Sequence, residues 1–73
     1  MDTSKEVGRC KKSDDTDWII RVGEFKENTY IDVREYQKSE NYMGFTKRGI
    51  MMRPEQVSEI ITILTKALIE VDE

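Results

Sequence analysis

Histidine is absent from all 73 residues, and cysteine occurs once, as Cys10. Without an imidazole the chain lacks the usual proton carrier near neutral pH and any base to activate that lone thiol. Only 4 glycines are present, none arranged as a phosphate-cradling loop, and no Cys/His cluster has metal-ligand spacing. An enzyme, a bound metal and a cofactor are therefore not expected. A single cysteine also rules out an internal disulfide. A chain this short buries only a modest share of its surface, so oligomerisation is the common support left to it. No apolar run approaches membrane-spanning length and no signal segment is present, which argues for a reducing, soluble compartment and against a membrane partner.

The net charge of −3 argues at first against a phosphate-rich partner, but the average conceals a division. Residues 1–17 hold four Lys/Arg and five Asp/Glu, residues 18–53 seven and five, and residues 54–73 one and five. Base collects in the middle of the chain and acid at its end. Because the Debye length is about 10 Å at 0.1 M salt, the local face matters more to a bound strand than the distant total.

The middle segment reads as sheet. In Thr29–Tyr36, Ile31 and Val33 alternate with Asp32 and Arg34, and β-branched and aromatic residues dominate, so one face is buried and one wet. Asp17–Phe25 forms a second candidate strand, with Trp18, Ile20 and Val22 on one face and Ile19 and Arg21 on the other; Lys26-Glu27-Asn28 is short enough for a hairpin turn. Gly23 interrupts the side-chain row and suits a bulge or a close backbone approach. Gln37–Asn41 is polar and turn-rich, Tyr42–Thr46 leads out of it, and Lys47–Met52 closes the sheet.

Pro54 has the preset φ of a first helical position. From there Val57, Ile60, Ile61, Leu64, Ala67, Leu68 and Val71 recur at three- and four-residue steps, predicting an amphipathic helix of about 19 residues. Ile63 and Ile69 widen its apolar surface beyond one stripe. One face can cover the sheet, and the remainder suits another helix. By contrast, residues 1–16 have Val7 as their only aliphatic residue beyond Met1, mix both charges and show no period, predicting a flexible tail ahead of a domain over 17–73.

Phe25-Lys26, the block Ile31-Asp32-Val33-Arg34-Glu35-Tyr36, Lys47-Arg48-Gly49-Ile50, and Pro54-Glu55-Gln56 opening a terminal helix together resemble the transcriptional coactivator family known as positive cofactor four. The resemblance spans roughly residues 18–72. It implies an α+β domain, a four-stranded antiparallel twisted sheet followed by one C-terminal helix (ββββα), which forms a homodimer through its helices and binds single-stranded DNA with little sequence preference. It further implies a role in transcription, in the nucleus of a eukaryotic host and otherwise in the cytoplasm, with transcription proteins as a further partner class.

Carried across by residue, the resemblance makes Phe25 a base-stacking ring, Lys26 the cation after it, Arg34 the second-strand arginine, and Lys47 and Arg48 the basic pair before a glycine. Arg21 and Tyr36 complete the expected DNA-binding set, and Ile60, Ile61, Leu64 and Leu68 the dimer interface. The chain departs from the family pattern at Gln37, where a tryptophan is frequent, at Gly44 and Asn28, where lysines occur, and at Arg53, which replaces a capping hydroxyl. Two readings of the residues themselves stay open. Phe25 and Trp18 suit a core or an interface as well as a base, and Arg34 is either paired internally with Asp32 or free to hold a phosphate. A dimeric protein-interaction module, using the acidic helix side and the tail, is the alternative function.

Overall fold

The computed structural model describes residues 3–72. Four strands, β1 (Thr3–Ser13), β2 (Thr16–Phe25), β3 (Asn28–Lys38) and β4 (Met43–Met52), form one antiparallel sheet in the order β1-β2-β3-β4, and the helix α1 (Pro54–Asp72) follows. The ββββα architecture and the 19-residue helix are as expected from the sequence.

The first strand corrects one expectation. Thr3–Ser13, read as tail, is an 11-residue edge strand paired along β2. It escapes a hydrophobic-period reading because backbone hydrogen bonds and charge hold it in place of apolar burial. Arg9 Nη1 lies 3.6 Å from Asp17, and Lys12 Nζ lies 3.0 Å from Glu35. The Asp14-Asp15 turn into β2 is closed by Ser13 and Thr16 hydroxyls donating to Asp15 and by the Lys38 N–H donating to the Asp15 carbonyl.

The β2–β3 hairpin turns on Lys26 and Glu27, whose φ values of 50° and 68° match a two-residue primed turn, and Asn28 already pairs with Phe25. The β2–β3 register runs unbroken through Gly23, so the bulge expected there is absent. Irregularities fall instead between Glu6 and Gly8, between Lys11 and Ser13, and between Arg34 and Tyr36, where Thr46-Lys47-Arg48 of β4 stand against Glu35 alone.

Pairing across the ladders assigns two faces. One carries Ile19, Arg21, Phe25, Asp32, Arg34, Tyr36 and Phe45; the other carries Trp18, Ile20, Val22, Ile31, Val33, Ile50 and Met52. The helix starts from an N-cap at Arg53, whose N–H donates to Gln56 Oε1 at 2.9 Å. Gln56 thus supplies half of a capping box although no hydroxyl is present at the cap. Along the helix only Val57 and Ile60 are even half-buried; Ile61, Ile63, Leu64, Leu68 and Ile69 are exposed.

The resulting molecule is thin, 17 Å along its shortest axis, with Ile19 and Met52 the only buried large apolar residues among those described. Its radius of gyration of 14.1 Å exceeds the roughly 11 Å of a compact chain of this length. Its 5878 Å² of accessible surface exceeds the roughly 4,700 Å² of a monomeric protein of this mass. Sheet and helix together expose apolar surface that one copy cannot cover.

Candidate nucleic-acid interface

At the centre of the first face is a carboxylate. Asp32 has no solvent exposure, and Arg21 and Arg34 converge on it from β2 and β3. Arg21 donates from Nη2 and Nε to Oδ2 at 2.7 and 3.2 Å. Arg34 donates from Nη2 to Oδ1 at 2.7 Å and from Nε to Oδ2 at 3.4 Å, and its Nη1 reaches the Lys47 carbonyl at 3.0 Å. Burial pushes the Asp32 carboxyl up, but the hydrogen bonds and positive charges of Arg34 and Arg21 outweigh it and hold the group below its ordinary value. Asp32 is thus a carboxylate at neutral pH, and the trio carries one net positive charge.

Aromatic rings flank this trio. The Arg21 guanidinium lies over the Phe45 ring at 4.2 Å, and Phe45 meets Tyr36 edge to face with centroids 5.3 Å apart. Arg9, from the strand mistaken for a tail, sits 5.8 Å from the Tyr36 ring centroid. At the far end of β2, Phe25 is 37% exposed and Lys26 Nζ stands 5.3 Å from its ring centroid. The positive φ of Lys26 sets that approach, since the tight turn brings its side chain back beside the strand end.

Five cations of this face, Arg9, Lys11, Arg21, Arg34 and Lys38, stand against Glu6, Asp17 and Asp32 and against Asp14, 2.9 Å from Lys11, leaving a surplus of one positive charge before Lys26 is added. The acidic chain therefore carries a basic face.

Of the expected DNA-binding residues, Arg21, Phe25, Arg34 and Tyr36 share this face and Lys26 borders it. Lys47 and Arg48 do not join them. The β4 irregularity carries them to the rim of an open depression of about 550 Å³ with Asp15, Thr16, Glu35, Gln37 and Thr46. Glu35 and Gln37 alternate onto the opposite face, so the basic pair is offset from the arginine trio by the sheet edge. Only the Lys47 backbone carbonyl touches the trio, through Arg34.

Sequence reasoning left Arg9 and Phe45 out of the site. Phe45 carried a weak signal as an aromatic two residues before a basic pair; Arg9 carried none until its segment is known to be a strand.

The departures from the family pattern have local explanations. Gln37 donates to the Ser39 hydroxyl at 3.0 Å, and Asn28 accepts from Arg53 at 3.2 Å. Gly44 has φ 153°, and a Cβ there would stand 3.2 Å from the Tyr42 hydroxyl, so a lysine at this position is strained. Gly49, opposite Arg34, is more restrictive. A Cβ would lie 2.5 Å from the Val33 carbonyl oxygen and 2.8 Å from Arg34 Nε. We expect Gly49→Ala to lower stability by about 1–3 kcal/mol through overpacking, read from urea denaturation midpoints.

Residues 15–63 match the sequence profile of the family described as transcriptional coactivator p15 (PC4). The chain belongs to this family. The crystal structure of a PC4 homolog from Burkholderia pseudomallei K96243 is similar over 92% of both chains, with a TM-score of 0.78 and 26% sequence identity. No curated protein matches the chain. The PC4 assignment gives the coarse role, a DNA-binding coactivator of transcription. The matched range contains β2, β3, β4 and the first half of α1, and hence every expected DNA-binding residue; β1 with Arg9 lies before it. Among the described residues no helix is long and apolar enough to cross a membrane.

Proposed function

We propose that this PC4-family protein binds single-stranded DNA with little sequence preference, as a homodimer joined through its helices, and stabilises melted DNA during transcription. The observation that carries the reading is the interleaving of cations and rings on one sheet face: Arg21 over Phe45, Arg9 beside Tyr36, Lys26 beside Phe25, with Arg34 between. Cations neutralise phosphates and release counterions, and a ring face accepts any base. A duplex hides its base faces, leaving Phe25 nothing to stack on. The basic pair Lys47-Arg48 at the β4 edge extends the cationic track beyond the arginine trio.

Dimerisation is supported by the surface surplus of about 1,200 Å² over a monomer of this mass, which exceeds the roughly 800 Å² that each partner buries in a standard interface. Ile60, Ile61, Leu64 and Leu68 occupy the helix face proposed for it, and Ile63 and Ile69 of the same helix are exposed as well.

The test is a fluorescence-anisotropy titration of a single strand of about 20 nucleotides, beside the same sequence as duplex, at low and moderate salt. Tight binding of the single strand, weak binding of the duplex and a steep salt slope are expected. Equally negligible binding of both at low salt overturns the reading and leaves a dimeric protein-interaction module in its place.

A further inference from the structure

We infer that Asp32 is a positioning residue that holds Arg21 and Arg34 as a preformed pair of phosphate clamps. The inference rests on the single-strand reading above and deepens it.

An acid at the centre of a basic nucleic-acid face is at first sight a defect, because its charge repels phosphate. Asp32 is nevertheless the most completely buried polar residue described, and all its contacts are satisfied. A buried ion pair is weak evidence for stability, since apolar side chains of similar volume often serve as well. The geometry gives it a different use. Each guanidinium donates through Nε and Nη2 to the same carboxylate, a two-point hold that fixes the plane as well as the position. The side chains of Arg21 and Arg34 are then only 20% and 18% exposed, yet Arg21 Nη1 makes no hydrogen bond among the described residues, and Arg34 Nη1, which gives one hydrogen to the Lys47 carbonyl, keeps its second. A donor held this way meets an incoming oxygen without first losing rotamer freedom. Phe45 supports one face of the Arg21 plane at 4.2 Å, which fixes that plane relative to the ring.

Charge and positioning predict opposite signs for one substitution. Asp32→Asn removes a negative charge from the face, so charge alone tightens binding. Positioning predicts the reverse: about 10-fold weaker binding of a 20-nucleotide single strand, the loss expected when two rotamer-rich side chains are immobilised on binding rather than beforehand. The experiment titrates wild type, Asp32→Asn and Asp32→Glu with that strand at two salt concentrations, with circular dichroism to verify folding and arginine Nε–H NMR signals to report the hold.

Weaker binding by a folded Asp32→Asn protein, with both slowly exchanging Nε–H signals lost, supports the inference. Equal or tighter binding by that protein overturns it. Should Asp32→Asn not fold, Asp32→Glu decides: every charge and both guanidinium groups are kept while the two-point hold is displaced by a methylene, so weaker binding supports positioning and unchanged affinity overturns it. Failure of the wild type to bind the strand at low salt removes the single-strand reading itself, and this inference falls with it.

Discussion

Leu64→Asp is expected to abolish the dimer and, with it, most of the folded state at micromolar concentration. Leu64 is 60% exposed in the single chain, and Ile61 and Leu68, one turn to either side, are 59% and 68% exposed. A carboxylate placed where two helices meet loses its hydration without gaining a partner, and breaking such an interface by a buried unpaired charge costs several kcal/mol. The effect on folding follows from the size of the core. With only Ile19 and Met52 buried among the large apolar residues described, a monomer has little apolar burial to set against chain entropy. Wild type should accordingly melt at a temperature that rises with protein concentration. Sedimentation equilibrium and thermal melts at several concentrations check both points. A Leu64→Asp protein that remains dimeric with unchanged melting would remove the helices from the interface.

The second large effect is expected from Phe25→Ala combined with Arg34→Ala. Phe25 sits at the end of β2 with its ring exposed and Lys26 beside it, so truncation removes a stacking surface and leaves the cation without the ring it accompanies. Loss of one stacked base is worth about 1–3 kcal/mol, a factor of roughly 5 to 150 in affinity. Removing Arg34 withdraws the proposed phosphate contact and leaves Asp32 held by Arg21 alone, so the two losses together should reach at least about two decades. The salt slope should also fall, because fewer counterions are released. Anisotropy titration at two salt concentrations measures both quantities. The dimer should persist, since neither residue is on the helix. Unchanged affinity in a folded dimer would show that the strand takes another path, with the Lys47-Arg48 edge the next place to probe.

The sheet core and helix were legible because their signals are local and periodic. Ile31 and Val33 against Asp32 and Arg34 give a period of two, and Val57 through Val71 give three- and four-residue steps; the elements survive as β3 and α1, although the buried residue of β3 is Asp32, on the face read as wet. The first strand was not legible, because an edge strand satisfied by its neighbour's backbone and by pairs such as Lys12–Glu35 needs no apolar alternation. Gly23 offered either a bulge or a close backbone approach; the β2–β3 ladder runs unbroken there and Gly23 is buried, while the irregularities fall in β1 and at Thr46-Lys47-Arg48, where three residues meet Glu35.

What the chain's residues determined alone is the inventory of chemistry: no imidazole, no disulfide, basic middle, acidic end, a two-sided strand and a helix with more apolar surface than one sheet absorbs. Tertiary structure decided which of those groups meet. Spacing left Arg34 as either an internal partner of Asp32 or a free cation; cross-strand register brought Arg21 to the same carboxylate, and the arginines became a fixed pair. Register likewise placed Phe45 under Arg21 and moved Lys47 and Arg48 to the edge. Such meetings depend on pairing partners 11 to 23 residues apart, as in Arg21–Asp32 and Lys12–Glu35. Local propensity carries no information at that distance; the hydrogen-bonded ladder does, because a shift of one residue would turn every side chain to the other face.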